Sequence, residues 1–422
     1  MLRLARHRGT TAHVCSLYPW SVQAGLGHRG VYVGHDVLAG GAGFVFDPFE
    51  AYADGLVTNP NVWVMGEPGN GKSALVKTLL WRMRAVYGAT RFVAVCDPKA
   101  EYRPLAEALG LSVVALRPGG AARINPLEAT GAAGEEDRGR RQVQMLTALA
   151  ATVLGRPLGP VEDAVLWATV EHLHRHGGRR PPTLVDVVSV LRDPPGVLAE
   201  RVNKTPVDLV VAVEAVTYGL DKLLSRSLRG MFDGPSTVRL DATGPGLVLD
   251  LSAVYQDRDA LPVVMVAATA WLSELMTATE RPKVQLLDEV WGLLGNRATA
   301  GHLQACWKLG RTYGVANIGV CHRPSDLAAQ ADDGTATAKI ASGLLADTAT
   351  KIVLRQAPDQ LAATAGLLGL NDTEAATVGH LVRGRALWRI GARTAVVHHV
   401  LGPTETGLVD TDAAMRRSEM TR

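Results

Sequence analysis

Apolar and polar positions alternate along this chain with two different periods. Short apolar runs bounded by glycine, proline or asparagine lie at residues 62–65, 92–96 and 112–116. Residues 73–87, between the first two runs, carry apolar side chains at helical spacing. Strands interleaved with helices predict a parallel sheet covered on both faces, because each crossover lays a helix on the sheet. Residues 1–60 read instead as short strands and turns, with apolar clusters at 30–34 and 43–47. Asn59-Pro60-Asn61 closes that segment.

Between residues 135 and 234 the strand pattern gives way to helical spacing at 142–154, 161–174, 184–191 and 207–228. Residues 177–182 and Asp193-Pro194-Pro195-Gly196 punctuate it. Strand runs resume at 247–251, 284–287, 316–321 and 351–354. Runs at 386–390 and 394–400 flank Gly391-Ala392-Arg393, which predicts a closing hairpin. The predicted architecture is α/β with a mainly parallel sheet and an all-α insertion. Short β elements lie at the N-terminus and in a C-terminal hairpin. The segments are 1–60, a core part at 61–133, the insertion at 134–236, a second core part at 237–402, and a polar tail at 403–422.

Composition adds limits. At 47% hydrophobic and 20% charged, the chain is ordinary for a globular protein, and disorder of its bulk is not expected. A net charge of +3 is too small to argue for nucleic acid by itself. The longest apolar stretch, 261–276, is broken by Ser273 and Glu274 and falls short of a membrane span. No signal peptide is visible in residues 1–19, so the expected location is the cytoplasm. Cys15, Cys96, Cys306 and Cys321 form no CxxC pair and read as buried, reduced thiols. The tryptophans (Trp20, Trp63, Trp81, Trp167, Trp271, Trp291, Trp307, Trp388) form no stacking ladder and read as core or interface packing. Arg138, Arg140 and Arg141 precede a helix and read as a solvated face, with DNA contact as the alternative.

The chemistry concentrates after the first core strand. Gly66-Glu67-Pro68-Gly69-Asn70-Gly71-Lys72-Ser73 matches G-x-x-x-x-G-K-S, with an apolar strand before it and a helical pattern, from Ala74 on, behind it. Such glycines let backbone N–H groups turn inward around phosphate oxygens, and the helix adds its positive end. Lys72 is expected to reach the β and γ phosphates of ATP, and Ser73 to ligate Mg²⁺. The strand at 284–287 ends in Asp288-Glu289. In a sheet of this kind Asp288 would hold Mg²⁺, and Glu289 would orient and deprotonate the attacking water.

Further candidates are less specific. His322 follows the run at 316–321, ahead of Arg323-Pro324-Ser325, where ring-forming motors place a polar sensor; it reads either as that sensor or as a loop histidine hydrogen-bonded locally. Arg311 precedes that run and Arg355 follows the run at 351–354. Either could enter a neighbouring subunit's site, or be an ordinary surface arginine. Asp97-Pro98-Lys99-Ala100-Glu101-Tyr102 ends the strand at 92–96. Lys99 and Glu101 there read either as lining the nucleotide or a subunit interface, or as part of a turn set by Pro98.

These segments, in this order, resemble the conjugative-transfer ATPases of type IV secretion, the TraC-like group of the HerA–FtsK superfamily. Phe46-Asp47-Pro48-Phe49 and Asn59-Pro60-Asn61 lead into the phosphate loop. Asp97 to Tyr102 is similar to the group's D-P-K-G-E-Y, with Ala100 in place of glycine. Ile124-Asn125-Pro126-Leu127 follows, and Asp288-Glu289-Val290-Trp291 is close to D-E-A-W. The likeness runs from about residue 30 to residue 412. It implies a RecA-like P-loop core working as a homo-hexamer at the inner face of the cell membrane. Membrane components of a secretion or conjugation apparatus would be its partners, and DNA a possible one. It further implies that Lys72, Ser73, Asp288 and Glu289 serve Mg-ATP. Arg311 matches the arginine before the sensor strand of related motors, while His322 stands where many relatives carry Gln.

The expected function is therefore ATP hydrolysis that energises substrate translocation or apparatus assembly. A HerA-like or coupling-protein-like DNA translocase is the alternative on the same core. A scaffold that binds nucleotide without hydrolysing it is a second alternative, against which the presence of Glu289 argues.

Overall fold

The structure is a computed structural model that describes residues 10, 26–128, 135–178, 180–225, 228–238, 241, 243–257, 259–277, 279–290, 294, 297–322 and 336–410. Cys15, Trp20, Trp291, Arg323, Pro324, Ser325 and positions 411–422 of the tail lie outside the described residues.

In chain order the strands are β1 (Val31–Asp36), β2 (Ala42–Phe46), β3 (Val62–Met65), β4 (Phe92–Asp97), β5 (Ser112–Ala115), β6 (Gly246–Asp250), β7 (Lys283–Leu287), β8 (Val315–Cys321), β9 (Thr350–Leu354), β10 (Arg385–Ile390) and β11 (Arg393–His399). The first helices are α1 (Pro48–Ala53), α2 (Lys72–Tyr87) and α3 (Arg103–Leu109). Between β5 and β6 come α4 (Glu135–Leu154), α5 (Pro160–His176), α6 (Leu184–Arg192), α7 (Gly196–Arg201), α8 (Pro206–Ala212) and α9 (Glu214–Leu224). The rest are α10 (Ala260–Thr277), α11 (Arg297–Gly310), α12 (Ala336–Ala346), α13 (Pro358–Leu368), α14 (Asp372–Gly379) and α15 (Thr406–Val409).

The chain divides into two compact units. Unit one takes the described residues of 1–88, 320–324 and 345–422, and unit two those of 89–319 and 325–344. Within unit two the strand order is β8-β7-β4-β6-β5, and every neighbouring pair is parallel. β4 is buried at every position, as is β7, which fits strands covered on both faces. Helix α10 packs on β4 and is apolar nearly all round, with Leu261, Val264, Met265, Ala268 and Leu272 buried. That composition marks a helix enclosed by protein. No helix among the described residues is long and apolar enough to cross a membrane. The helical insertion docks on this layer through α4, which packs against α5 and α9 on one side and α10 and α11 on the other.

Within unit one the order is β2-β1-β11-β10-β9-β3, antiparallel except for the last pair. The terminal β elements thus join the same unit as the phosphate-loop strand β3. Helix α2 is clamped here. Arg82 makes a two-point bond to Glu405, at 2.7 and 2.6 Å, and also donates to the carbonyl of Val400. Glu405 is only 4% exposed, so the start of the predicted polar tail is instead a packed short helix around α15.

Several sequence expectations shift. The helix expected over 207–228 is two helices broken at Val213 (φ −114°, ψ 12°). Valines at 207, 210, 211 and 213 keep the apolar period running, yet their branched side chains weaken the helix there. Arg138, Arg140 and Arg141 lie inside α4 rather than ahead of it, because its polar first turns carry no apolar signal. The closing hairpin turns on Gly391 and Ala392, with Arg393 already paired to Ile390. Trp167 is exposed, at 45%, unlike Trp63, Trp271, Trp307 and Trp388. Cys96 and Cys321 are buried as expected, whereas Cys306 is half-exposed.

His399 of β11 sits against α2, its Nε2 2.8 Å from Thr78 Oγ1. Burial, reinforced by the Arg82 guanidinium, pushes its pKa down to about 4. A histidine held below its unfolded pKa of ~6.5 stabilises the fold fully above that value. The contribution is then lost as pH falls toward 4. Unit one is expected to lose about 2 kcal/mol of stability across that window, after discounting for partial exposure. Urea unfolding at pH 7 and pH 4.5 should show a His399→Gln chain losing less than the parent. An equal loss in both would remove His399 as the cause.

Candidate active site

The glycine loop of residues 66–73 belongs to unit one. Strand β3 is wholly buried and delivers the chain at Gly66. A Cβ at Gly66 would lie 2.6 Å from the Leu354 Cβ on β9, so only glycine lets the loop leave between the strands. Gly69 (φ 78°) and Gly71 (φ 100°) take left-handed backbone that side chains disfavour, and Gly71 caps α2. The loop is tied back by Glu67 N donating to Arg355 O (3.1 Å) and Gly384 N donating to Asn70 O (3.4 Å). Lys72 is 5% exposed, with its Nζ 2.5 Å from Gly66 O and 2.9 Å from Glu67 O. The ammonium is folded across the loop onto these two carbonyls. Pro68 and Gly69 are exposed, and Glu67, Asn70, Gly71, Ser73 and Ala74 are half-buried. The loop mouth is therefore accessible.

The acidic pair belongs to unit two. Asp288 and Glu289 follow β7 directly and are 7% and 2% exposed. Asp288 accepts from Tyr102 OH (3.0 Å) and from Glu289 N (2.9 Å). Burial, then the Glu289 and Glu101 carboxylates, push Asp288 up to about 6. A divalent cation would reverse that, since it favours the ionised form. Glu289 sits at φ 53°, a left-handed backbone uncommon for a side-chain-bearing residue, and such strain clusters at functional sites. Its carboxylate is ion-paired with Lys99. Burial works to lower the Lys99 pKa, but the Glu289 carboxylate prevails and holds it above its ordinary value.

The turn carrying Lys99 is built by Asp97. Its carboxylate accepts from the backbone N–H of Lys99 (3.1 Å), Glu101 (3.1 Å) and Tyr102 (2.8 Å). The segment is thus a fixed turn, held by the Asp97 carboxylate, and it carries Lys99 to Glu289. Tyr102 is fully buried, and Lys99 Nζ stands 5.5 Å from the Tyr255 ring centre. Tyr102 lay inside the quoted motif without a role. Tyr255 had no signal in the sequence, because its place beside Lys99 arises only when β6 pairs with β4.

Ala100, where the similar D-P-K-G-E-Y motif has glycine, adopts φ 58°. The left-handed turn is kept with an alanine and carries its strain, about 1 kcal/mol. Because the methyl is exposed, Ala100→Gly is expected to raise the urea midpoint, with a net gain of about 0.5 kcal/mol after the added chain freedom of glycine. A lower midpoint would show that the methyl makes contacts worth more than the strain.

The remaining candidates separate. Arg311 is exposed in the turn between α11 and β8. β7 and β8 run parallel, with Lys283 opposite Val315 and Leu287 opposite Gly319. Arg311 therefore lies at the edge where β7 starts, while Asp288 follows its end, about 16 Å away along the strand. That is farther than its own side chain reaches. Arg355 is exposed and offers its carbonyl to the phosphate loop. His322 directly follows β8 and is half-buried.

No protein-family model and no curated protein matches the sequence. Among solved structures, VirB4 of Thermoanaerobacter pseudethanolicus aligns with a TM-score of 0.73 at 20% identity, over 91% of this chain and 100% of that one. The plasmid coupling protein TrwB in complex with the non-hydrolysable GTP analogue GDPNP aligns at 0.59 and 17% identity, over 81% of this chain and 86% of that one. TrwB in complex with ADP and Mg²⁺ aligns at 0.56 and 17% identity, over 81% and 85%. The chain therefore has the α/β fold, with its mainly parallel sheet and helical insertion, that VirB4 and the TrwB coupling protein share.

Proposed function

We propose that this chain is a Mg-ATP-hydrolysing motor that energises conjugative DNA transfer or type IV secretion. The observation that carries the reading is the buried pair Asp288–Glu289 directly after a parallel strand, with Glu289 fixed by its backbone and by Lys99. A scaffold that only bound nucleotide would have no use for a second, strained carboxylate. The glycine loop would cradle the triphosphate, Lys72 would balance the β and γ charges, and Glu289 would take the proton of the attacking water. Ser73 and Asp288 would hold Mg²⁺, which supplies charge neutralisation at the phosphates. The donor set fits the ion, since a buried carboxylate and a serine hydroxyl at a helix start are hard oxygen ligands. That TrwB binds ADP and Mg²⁺ on this fold supports the same pairing here.

Because Arg311 stands too far from its own acidic pair, it would act on a neighbouring subunit's nucleotide, which fits a homo-hexamer with ATP between subunits. Hydrolysis would then move the helical insertion of residues 134–236, with membrane components of the apparatus as partners. The TrwB likeness keeps a DNA-translocating variant of the same reading in view. Specific ATPase activity is expected to rise with protein concentration, showing a site completed between subunits. Stimulation by DNA that falls steeply with salt would favour the translocase, whereas no DNA effect at low salt would favour a protein substrate or apparatus assembly. A flat specific activity from a monomer would overturn the ring.

A further inference from the structure

Away from the acidic pair, unit two carries a partly open cavity of about 160 Å³. Gln285 of β7 and Asn317 of β8, which are register partners at mid-strand, line it together with Met145 of α4 and Ala270 of α10. His302 and Cys306 of α11 line it as well. Gln285 is 2% exposed, and its Nε2 has no hydrogen-bond partner. A primary amide is out of place among the parallel strands of unit two, where apolar residues are the rule. A buried donor without a partner calls for an explanation, and an acceptor on a bound molecule supplies one.

Cys306 gives the cavity a chemical wall. His302 and Cys306 are four residues apart on α11, so they share a face, and His302 Nε2 lies 3.6 Å from Cys306 Sγ. The same nitrogen is 3.4 Å from Thr269 Oγ1. That hydroxyl already donates to the carbonyl of Met265 at 2.8 Å, so toward His302 it can only accept. With the imidazole proton on Nδ1, Nε2 can take the thiol proton of Cys306. The resulting Nε2–H is then held between the Thr269 oxygen and the thiolate sulfur.

We propose that this cavity is a modification site in which Cys306 captures a small α,β-unsaturated carbonyl compound. The thiol proton passes to His302 Nε2, and Sγ bonds to the β-carbon. The displaced π pair moves through the α-carbon onto the carbonyl oxygen, giving an enolate that accepts from Gln285 Nε2. His302 then returns the proton to the α-carbon, and the carbonyl re-forms. Nothing is oxidised or reduced, and no group leaves. The cavity is close to the size that accommodates a benzene-sized molecule, so a small electrophile fits. Gln285 does for the enolate what a preorganised donor does for any developing oxyanion. Cys96 and Cys321 are buried and absent from the cavity wall, which makes them internal controls.

The test treats the full chain with acrylamide and follows each cysteine by peptide mass spectrometry. Cys306 is expected to react at least tenfold faster than Cys96 and Cys321. Its rate should also fall far less between pH 8 and pH 6.5 than the tenfold per unit of an unassisted thiol. Gln285→Leu keeps the volume and removes the donor. It should slow acrylamide about tenfold at Cys306, leave reaction with carbonyl-free iodomethane unchanged, and hold or raise the melting temperature. His302→Gln should restore ordinary thiol pH dependence; if that chain does not fold, the pH profile of the parent decides the same point. Equal acrylamide rates in parent and Gln285→Leu, or an ordinary pH profile for Cys306 in the parent, would overturn the proposal.

Discussion

A Glu289→Gln chain is expected to bind ATP as the parent does and to turn it over at least about a hundredfold more slowly. The substitution keeps the shape of a side chain that is 2% exposed, and it removes only the carboxylate's charge and basicity. The glycine loop and Lys72, which would carry the phosphate contacts, are left unaltered by the substitution. The left-handed backbone at residue 289 is a property of the main chain and persists. What changes is the partner of Lys99, which loses an anion and keeps a weaker amide oxygen. Binding of a fluorescent ATP analogue and steady-state phosphate release, measured side by side, separate the two effects. Unchanged turnover would remove Glu289 from the chemistry, and lost binding would assign it to the nucleotide pocket instead.

Lys72→Ala is expected to act on both quantities. Removing the ammonium takes away the balancing charge on the β and γ phosphates, in the ground state and more so in the transition state. A fall of about a thousandfold or more in kcat/KM is the expected scale, together with a clear loss of ATP affinity. The side chain also bridges two loop carbonyls, Gly66 O and Glu67 O. The melting temperature without nucleotide therefore has to be measured beside the ATP-induced shift. In the parent, saturating ATP at about 100 Kd should add roughly 2.7 kcal/mol of stability, and the variant should show almost none of it. A variant that keeps the full shift would show that Lys72 is not a phosphate ligand.

The two residues probed by these variants were legible in the sequence for different reasons. The phosphate loop writes itself into residue types, because Gly66 has no room for a Cβ and Gly69 and Gly71 need left-handed backbone. The core strands are legible because burial on both faces leaves runs such as Phe92–Asp97 without a polar alternation to mistake for a helix. Asp288 and Glu289 stood out only as acids ending such a run.

What surrounds them was not legible. Asp97, Tyr102 and Asp288 meet because β4 and β7, far apart in sequence, pair in parallel with Cys96 opposite Leu287. No local period carries that pairing. The Lys99 ion pair and the positive φ of Glu289 likewise exist only once the turn after β4 is built. The break at Val213 escaped because the apolar period runs on through it. Arg311 could be read as a candidate from its place before a strand. The edge it occupies follows only from the parallel register of β7 and β8.

The most direct test of the central claim is a structure of the Glu289→Gln chain solved with ATP and Mg²⁺. The expected result is a triphosphate against the backbone N–H groups of Gly69 to Ser73, with Lys72 on its β and γ oxygens. Its Mg²⁺ should touch Ser73 and be reached by Asp288, and the substituted amide side chain should bond the water facing the γ phosphate. A nucleotide bound away from the glycine loop, or seated there with that amide out of reach even through one water, would contradict the account.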